Sequence, residues 1–474
     1  MTFKRRHPVS TSRHQKSKVQ GFRSKYLTSD KIGFSIVFVL WFMMFYYTIV
    51  PYLMMRTIPV NMNLDLSFIT TPLVGASIIN SSIWVSIYII FHVIRNKVID
   101  YQKTILIKNA LNKDGNNLPL VTMIIPARDE ENVIRKTVVN CLEQTYKNIE
   151  VVIVCHNCSN DETYDQANLP DKRIKALELK TIEAGKGIAL NYGVDNSDGD
   201  YILILDSDGK LDKEFVTNSL PFFKEGYAAV QGKIDASNRE YNLLSRLLAL
   251  EGDLFSFPFM AVRSFLSKRT PLGGTGFIIK KEILLKVGKF SNSLIDDFEL
   301  SFRLYKMGYE IVFAPLCIVS DEKPPIFSIM MKQRARWVKG HIDLLKKRIA
   351  EPTDVIGVIY WLSPAFSTCG LISVGVASFA MIFYLTFGYY PYRFSHVPFL
   401  TWIILTTSLN VLYLTLLRYR EETNNLKHVL YSLFLTPFST YWYVVLVKSF
   451  FVKSWATTKT IHGFRTVSTG DDGN

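Results

Sequence analysis

Five stretches of this chain run without a charged side chain for longer than a soluble fold tolerates. They are Ile32 to Met55 (24 residues), Leu66 to Phe91 (26), Val355 to Tyr392 (38), Val397 to Leu417 (21) and Val429 to Val447 (19). A helix of about 20 apolar residues crosses a hydrocarbon core of about 30 Å. Two spans are therefore expected before a charge-rich block at 96–353, and three or four after it. The 38-residue run admits one span preceded by an interfacial helix broken near Pro364, or a cramped pair. A cleavable signal peptide is a poor reading of the first run, which starts late, is too long and lacks a small-residue cleavage site. With 48% hydrophobic residues the chain is too apolar to be disordered as a whole.

Charge sets the expected orientation. Lys4, Arg5, Arg6, Lys16, Lys18, Arg23, Lys25 and Lys31 precede the first run, whereas the connector after it carries only Arg56 as a cation. Cytosolic flanks collect Lys and Arg. The reading is thus a multi-pass integral protein, most simply of the plasma membrane, with a cytosolic arm (1–31), two transmembrane helices (32–95), a cytosolic block (96–353), three or four membrane or interfacial helices (354–452) and a tail (453–474). The formal charge of +14 has two natural partners, anionic headgroups and phosphate-bearing substrates. With only 20% charged residues, no nucleic-acid partner is expected. Cysteines at 141, 155, 158, 317 and 369 form no disulfide framework and fit a reducing compartment.

Within the block, Leu120 to Ile125, Ile149 to Val154 and Tyr201 to Leu205 are short β-branched apolar runs, each the mark of a buried strand. Asn132 to Thr145 has helical spacing, with Glu130 and Glu131 at its start. Strand, helix, strand is a parallel α/β unit, and ligands of such sheets sit beyond the carboxyl ends of the strands. At one such end stand Asp206 and Asp208. Two carboxylates one residue apart suit Mg²⁺ or Mn²⁺ on a phosphate, and equally suit a solvated turn. Lys186, between glycines and ahead of a helical stretch, is placed either to approach a diphosphate or simply to lie on the surface. Pro271 to Gly276 offers glycines beside a strand, as a close backbone approach or a plain turn. Asp296 and Asp297 open a helical stretch, where an aspartate either caps the helix or takes a proton from a hydroxyl. Gln333, Arg336 and Trp337 fall on one helix face, suited to phosphate and sugar or to a membrane surface. Cys155 and Cys158 have metal-ligand spacing, but no second pair accompanies them.

Taken in order, Pro126-Ala127 with Glu130, Lys186, Asp206-x-Asp208, Gly274-Thr275-Gly276, Asp296-Asp297 and Gln333-x-x-Arg336-Trp337 resemble the family-2 inverting glycosyltransferases of GT-A fold. The resemblance covers residues 119–345. The last motif resembles the membrane-embedded branch, which makes cellulose, chitin, hyaluronan and poly-N-acetylglucosamine. The resemblance implies a Rossmann-like α/β domain inserted between membrane helices, a nucleotide-sugar donor and a growing glycan or lipid acceptor. It also implies roles by position. The Pro126 to Glu130 loop and Asn157 would hold the base, Asp206 the ribose, Asp206 and Asp208 the divalent metal, and Lys186 a phosphate. Asp297 would be the general base; Gly274, Thr275, Gln333, Arg336 and Trp337 would line the diphosphate and acceptor end.

Three departures stand out. Cys155-His156-Asn157-Cys158 occupies the place where the family carries acids that bind uracil, so UDP is favoured but not fixed. Asp129 stands for an asparagine, and Asp296 for a glutamate. Two rival functions follow: transfer of a single sugar to a lipid, as in ceramide glucosyltransferases, and a non-catalytic membrane scaffold that keeps only the fold.

Overall fold

The computed structural model describes residues 67–111, 118–156, 161–181, 183, 185–348, 379, 382–383, 385–389, 438 and 441–452. One sheet of eight strands organises them: β1 (Val121–Ala127), β2 (Ile149–His156), β3 (Ile174–Leu179), β4 (Tyr201–Ile204), β5 (Lys210–Leu211), β6 (Ala229–Ala236), β7 (Phe277–Lys280) and β8 (Ile311–Asp321), in the order β3-β2-β1-β4-β7-β6-β8-β5. The first four are parallel, with Ile124 facing Val152 on one side and Ile204 on the other. β7 runs antiparallel between β4 and β6, which makes the far half a mixed sheet.

The central strands read as unbroken apolar runs because both faces are covered. Alternate residues of β1 feed two cores. Val121, Met123 and Ile125 pack with Ile134 and Val138 of α2 (Ile134–Leu142), while Ile124 packs with Ala189, Leu190 and Val194 of α3 (Lys186–Asp195). The remaining helices used below are α1 (Ser67–Leu111), α4 (Leu243–Glu251), α5 (Phe257–Ser267), α6 (Asp296–Lys306), α7 (Phe327–Arg348) and α8 (Tyr441–Ser449); a π-helical turn, Gly252–Ser256, joins α4 to α5.

The three expected strands and the helices expected after 132, 186, 296 and 333 are all present. β3, β5, β6 and β8 and the α4 to α5 segment were not foreseen. The boundary drawn at 95/96 falls inside α1, which continues to Leu111. The reason is that the first charges after Phe91 end an apolar run but leave helical hydrogen bonding untouched. Past that point α1 belongs to the α/β body, where Gln102 accepts from the Leu316 N–H at 2.8 Å. Among the described residues no helix is long and apolar enough to cross a membrane. The run Ile32 to Met55 lies outside the described residues, as do all of Val397 to Leu417, most of Val355 to Tyr392 and the first part of Val429 to Val447.

Candidate active site

A cavity of about 520 Å³ opens beyond the carboxyl ends of β1, β2 and β4, where the strand order changes direction. Backbone and short side chains fix its floor. The chain leaves β4 into a tight turn carrying Asp206 and Asp208. The Asp206 N–H donates to Thr275 Oγ1 at 3.0 Å, Thr137 Oγ1 donates to the Ser207 carbonyl at 2.7 Å, and the Glu322 N–H donates to Asp208 Oδ2 at 2.8 Å. The Asp-x-Asp turn is therefore a wall of the cavity, tied to three other segments.

Lys186 is the first residue of α3. Its ammonium reaches Asp206 Oδ1 at 2.5 Å and the Gly274 carbonyl at 2.9 Å. Gly274 has φ +80, and a Cβ built there would lie 3.0 Å from Asp297 Oδ2 and 3.9 Å from Lys186 Nζ. Only glycine combines that backbone with that clearance. One backbone position thus gathers the Asp297 carboxylate and the cation that holds Asp206.

Asp297 stands in the first turn of α6, and the N-cap residue Ile295 makes no side-chain cap bond. Burial, then the neighbouring Asp296 carboxylate, push Asp297 up to about 7, against the pull of Lys186 and Arg336. Burial also raises Asp296, which Lys186 and Arg336 oppose. For Lys186, burial alone would lower the pKa, but Asp206, Asp296 and Asp297 outweigh it and hold the ammonium charged. Arg336 is drawn down by burial despite the same three carboxylates, and donates to the Leu294 carbonyl at 2.9 Å.

Gln333, Arg336 and Trp337 lie on the α7 face that closes the cavity, so the helix is part of the site and not a surface strip. Pro126, Ala127 and Glu130 line the same cavity with His156; Glu130 is fixed through its N–H, which donates to Thr163 Oγ1 at 2.8 Å. Asn157 and Cys158 lie outside the described residues. Asp129 has φ +56, a left-handed conformation that both asparagine and aspartate tolerate, so that departure keeps the loop's shape.

Asp321, Glu322, Arg334 and His341 also line the cavity and were not among the residues singled out. Asp321 ends β8, raised by burial and by Asp208 and Asp206, with Lys323 in opposition. Its signal was present, for Ile318-Val-Ser-Asp321 repeats the pattern of Ile204-Leu-Asp206, an apolar strand that ends in an acid. His341 lies edge-on to Phe298 at 4.8 Å, and burial lowers it to about 4, which keeps the ring neutral.

As a metal seat the Asp206 to Asp208 turn offers oxygen ligands alone, the chemistry a hard divalent cation prefers. Among the described residues no group of three or more His, Cys, Asp or Glu side chains gathers to hold a metal. Two carboxylates leave most of a cation's shell to be completed by phosphate oxygens and water.

Fold and cavity define an α/β protein whose main cavity lies at the switch of a largely parallel sheet, with a buried carboxylate pair beside the cations Lys186 and Arg336. A family model described as glycosyltransferase like family 2 matches residues 119–340. The probable glycosyltransferase YdaM of Bacillus subtilis is 30% identical over 352 residues, which cover 71% of this chain and 83% of that one. A poly-beta-1,6-N-acetyl-D-glucosamine synthase of Staphylococcus epidermidis is 23% identical over 407 residues, 82% of this chain and 95% of that one. A beta-monoglucosyldiacylglycerol synthase of Trichormus variabilis is 28% identical over 233 residues, 47% and 49% of the two chains. The chain belongs to the family-2 glycosyltransferases and is a transferase with a GT-A-like α/β fold. The scaffold reading is set aside.

Proposed function

We propose that this transferase takes a nucleotide sugar, UDP-linked in the simplest reading, from the cytosolic side and adds the sugar with inversion to a β-linked glycan. The charge-free runs flanking the block would anchor it in a membrane and carry the growing product. One observation carries the reading: Asp297, Lys186 and Asp206 are drawn together around Gly274. Those are a proton acceptor, a phosphate-binding cation and a metal-binding acid, the set that displacement at an anomeric carbon needs.

The steps follow from what each side chain can do. The Pro126 to Glu130 loop and His156 take the base; Lys186 and Arg336 face the diphosphate. Asp297 accepts the proton of an acceptor hydroxyl. The new bond forms from that oxygen to the anomeric carbon as the bond to the diphosphate oxygen breaks on the opposite face, which inverts the centre. The nucleoside diphosphate leaves with the electron pair. Asp206 and Asp208 would hold Mg²⁺ or Mn²⁺, which would supply further neutralisation of that leaving charge. Gln333 and Trp337 form the acceptor wall, with the indole as a stacking face.

A second reading is single transfer to a lipid acceptor. It is favoured by the apolar flank of the cavity, where Leu248, Phe257, Phe259 and Met260 line the wall, and Phe259 stands 6.1 Å from Trp84 of α1. The name of the Trichormus relative agrees with it. A panel of labelled UDP- and GDP-sugars, offered to membranes that contain the protein, separates the readings. Gel filtration is expected to show a ladder of long products from one UDP-sugar. Product carrying one added sugar, whatever the donor, would sink the polymer reading.

A further inference from the structure

Arg334 lies within the Gln333 to Trp337 segment yet takes no part in the chemistry above. Its guanidinium carbon is 4.4 Å from the ring centroid of Trp337 and 5.5 Å from that of Trp442. One cation therefore contacts two indoles, one on its own helix and one on α8. Its Nη2 donates to Glu251 Oε2 at 3.0 Å, and the Tyr441 hydroxyl reaches the two oxygens of the same carboxylate at 3.1 and 3.2 Å. Glu251 ends α4, where the chain opens into the π-helical turn, and the Leu254 carbonyl of that turn accepts from the Tyr88 hydroxyl at 2.6 Å. Such turns are rare and concentrate at functional sites.

The network sits among apolar residues, with Tyr88, Leu250, Met330, Ala335 and Tyr441 in one buried cluster. Burial pulls Arg334 down and Glu251 holds it up, so the group stays charged. Its Nε is buried without a hydrogen-bond partner among the described residues. A buried ion pair is a weak source of stability, and apolar replacements often do as well or better. What an apolar side chain lacks is a planar cation with two faces for aromatic rings.

We propose that Arg334 is a positioning residue for Trp337, and that α8, none of whose described side chains lines the cavity, sets the acceptor end of the site through it. Trp442 bears on the guanidinium and Tyr441 on the carboxylate that holds it. The proposal rests on the reading of Trp337 as the acceptor-facing ring. It links the end of the last apolar run to the orientation of an indole in the catalytic cavity.

The test uses the full chain in nanodiscs, labelled with 5-fluorotryptophan and observed by ¹⁹F NMR. The Trp337 line is assigned by its loss in Trp337→Phe. Arg334→Lys keeps a charge for Glu251 but removes the planar faces, and Trp442→Leu removes the other ring from outside the cavity. Both are expected to shift or broaden the Trp337 line, and Tyr441→Phe, which deletes one hydroxyl, to do so less. In parallel, Trp442→Leu should raise KM for a β-1,6-linked N-acetylglucosamine pentasaccharide about tenfold and leave KM for UDP-N-acetylglucosamine within about twofold, since a single misplaced side chain can cost up to 10²-fold. An unmoved Trp337 line in these variants overturns the proposal. So does a parallel rise in both KM values, the mark of a merely structural role. Failure of the unaltered protein to use these sugars would count against the polymer reading alone, because the fluorine line needs no substrate.

Discussion

A carboxylic acid that titrates near neutrality serves as a base only above its pKa. With burial and Asp296 holding Asp297 at about 7, kcat/KM is expected to climb with pH below that value and level off above it. Asp297→Asn should lower transfer by about 10²–10⁴-fold above pH 7, with the gap narrowing at lower pH as the wild-type carboxyl takes up its proton, while the nucleotide still binds; equal turnover in the variant above pH 7 would remove the assignment. The stability effect has a definite sign. A carboxyl raised in the folded state binds its proton more tightly there, so its contribution is full below the unfolded value and lost as pH rises through about 7. Asp297→Asn should therefore raise Tm more at pH 8 than at pH 5, which a pair of melting curves checks. At this scale the sequence was readable wherever an acid, a lysine or a glycine stood beside an apolar run. It said nothing of the Asp296 and Asp297 pKa values, which depend on burial beneath Lys186 and Arg336, residues 111 and 39 positions from Asp297.

Elements carry the next layer of meaning. β1, β2 and β4 were legible because strands buried on both faces leave continuous apolar runs. β6 was not, for its second half, Lys233 to Ala236, is only half-buried, and its register on β8 shifts between Gly232 and Lys233. The α4 to α5 segment was hidden by its unusual π-helical turn and by a wholly non-local partner, α8. α7 depends on a contact of similar subtlety. A Cβ at Gly340 would meet Ile295 Cγ2 at 2.7 Å, so the helix lies unusually close to the loop whose Leu294 carbonyl holds Arg336. Gly340→Ala should cost about 1–3 kcal/mol through overpacking. It should also lower transfer by up to about 10²-fold by displacing Arg336 and Trp337. Nucleotide binding at the β1 to β4 end should change far less, which thermal melting and equilibrium dialysis of labelled UDP can establish together. Unchanged turnover would show that α7 tolerates the shift.

For the molecule as a whole, cation and nucleotide are expected to bind as partners. With Asp206 and Asp208 as the oxygen ligands and no gathering of three acids among the described residues, Mn²⁺ alone should raise Tm little. UDP and Mn²⁺ together should raise it by more than the sum of their separate shifts. A full shift from Mn²⁺ alone would point to a self-sufficient metal site and away from this one. The placement of the two ends of the reaction has a further consequence. Asp206 follows β4, Gly274 precedes β7, and these strands are hydrogen-bonded neighbours running in opposite directions. Adjacent strands are held about 4.8 Å apart by the ladder itself. The distance between the turn that carries Asp206 and the glycine that lies under Asp297 is thus set by main-chain spacing, indifferent to the side chains that line the surrounding walls.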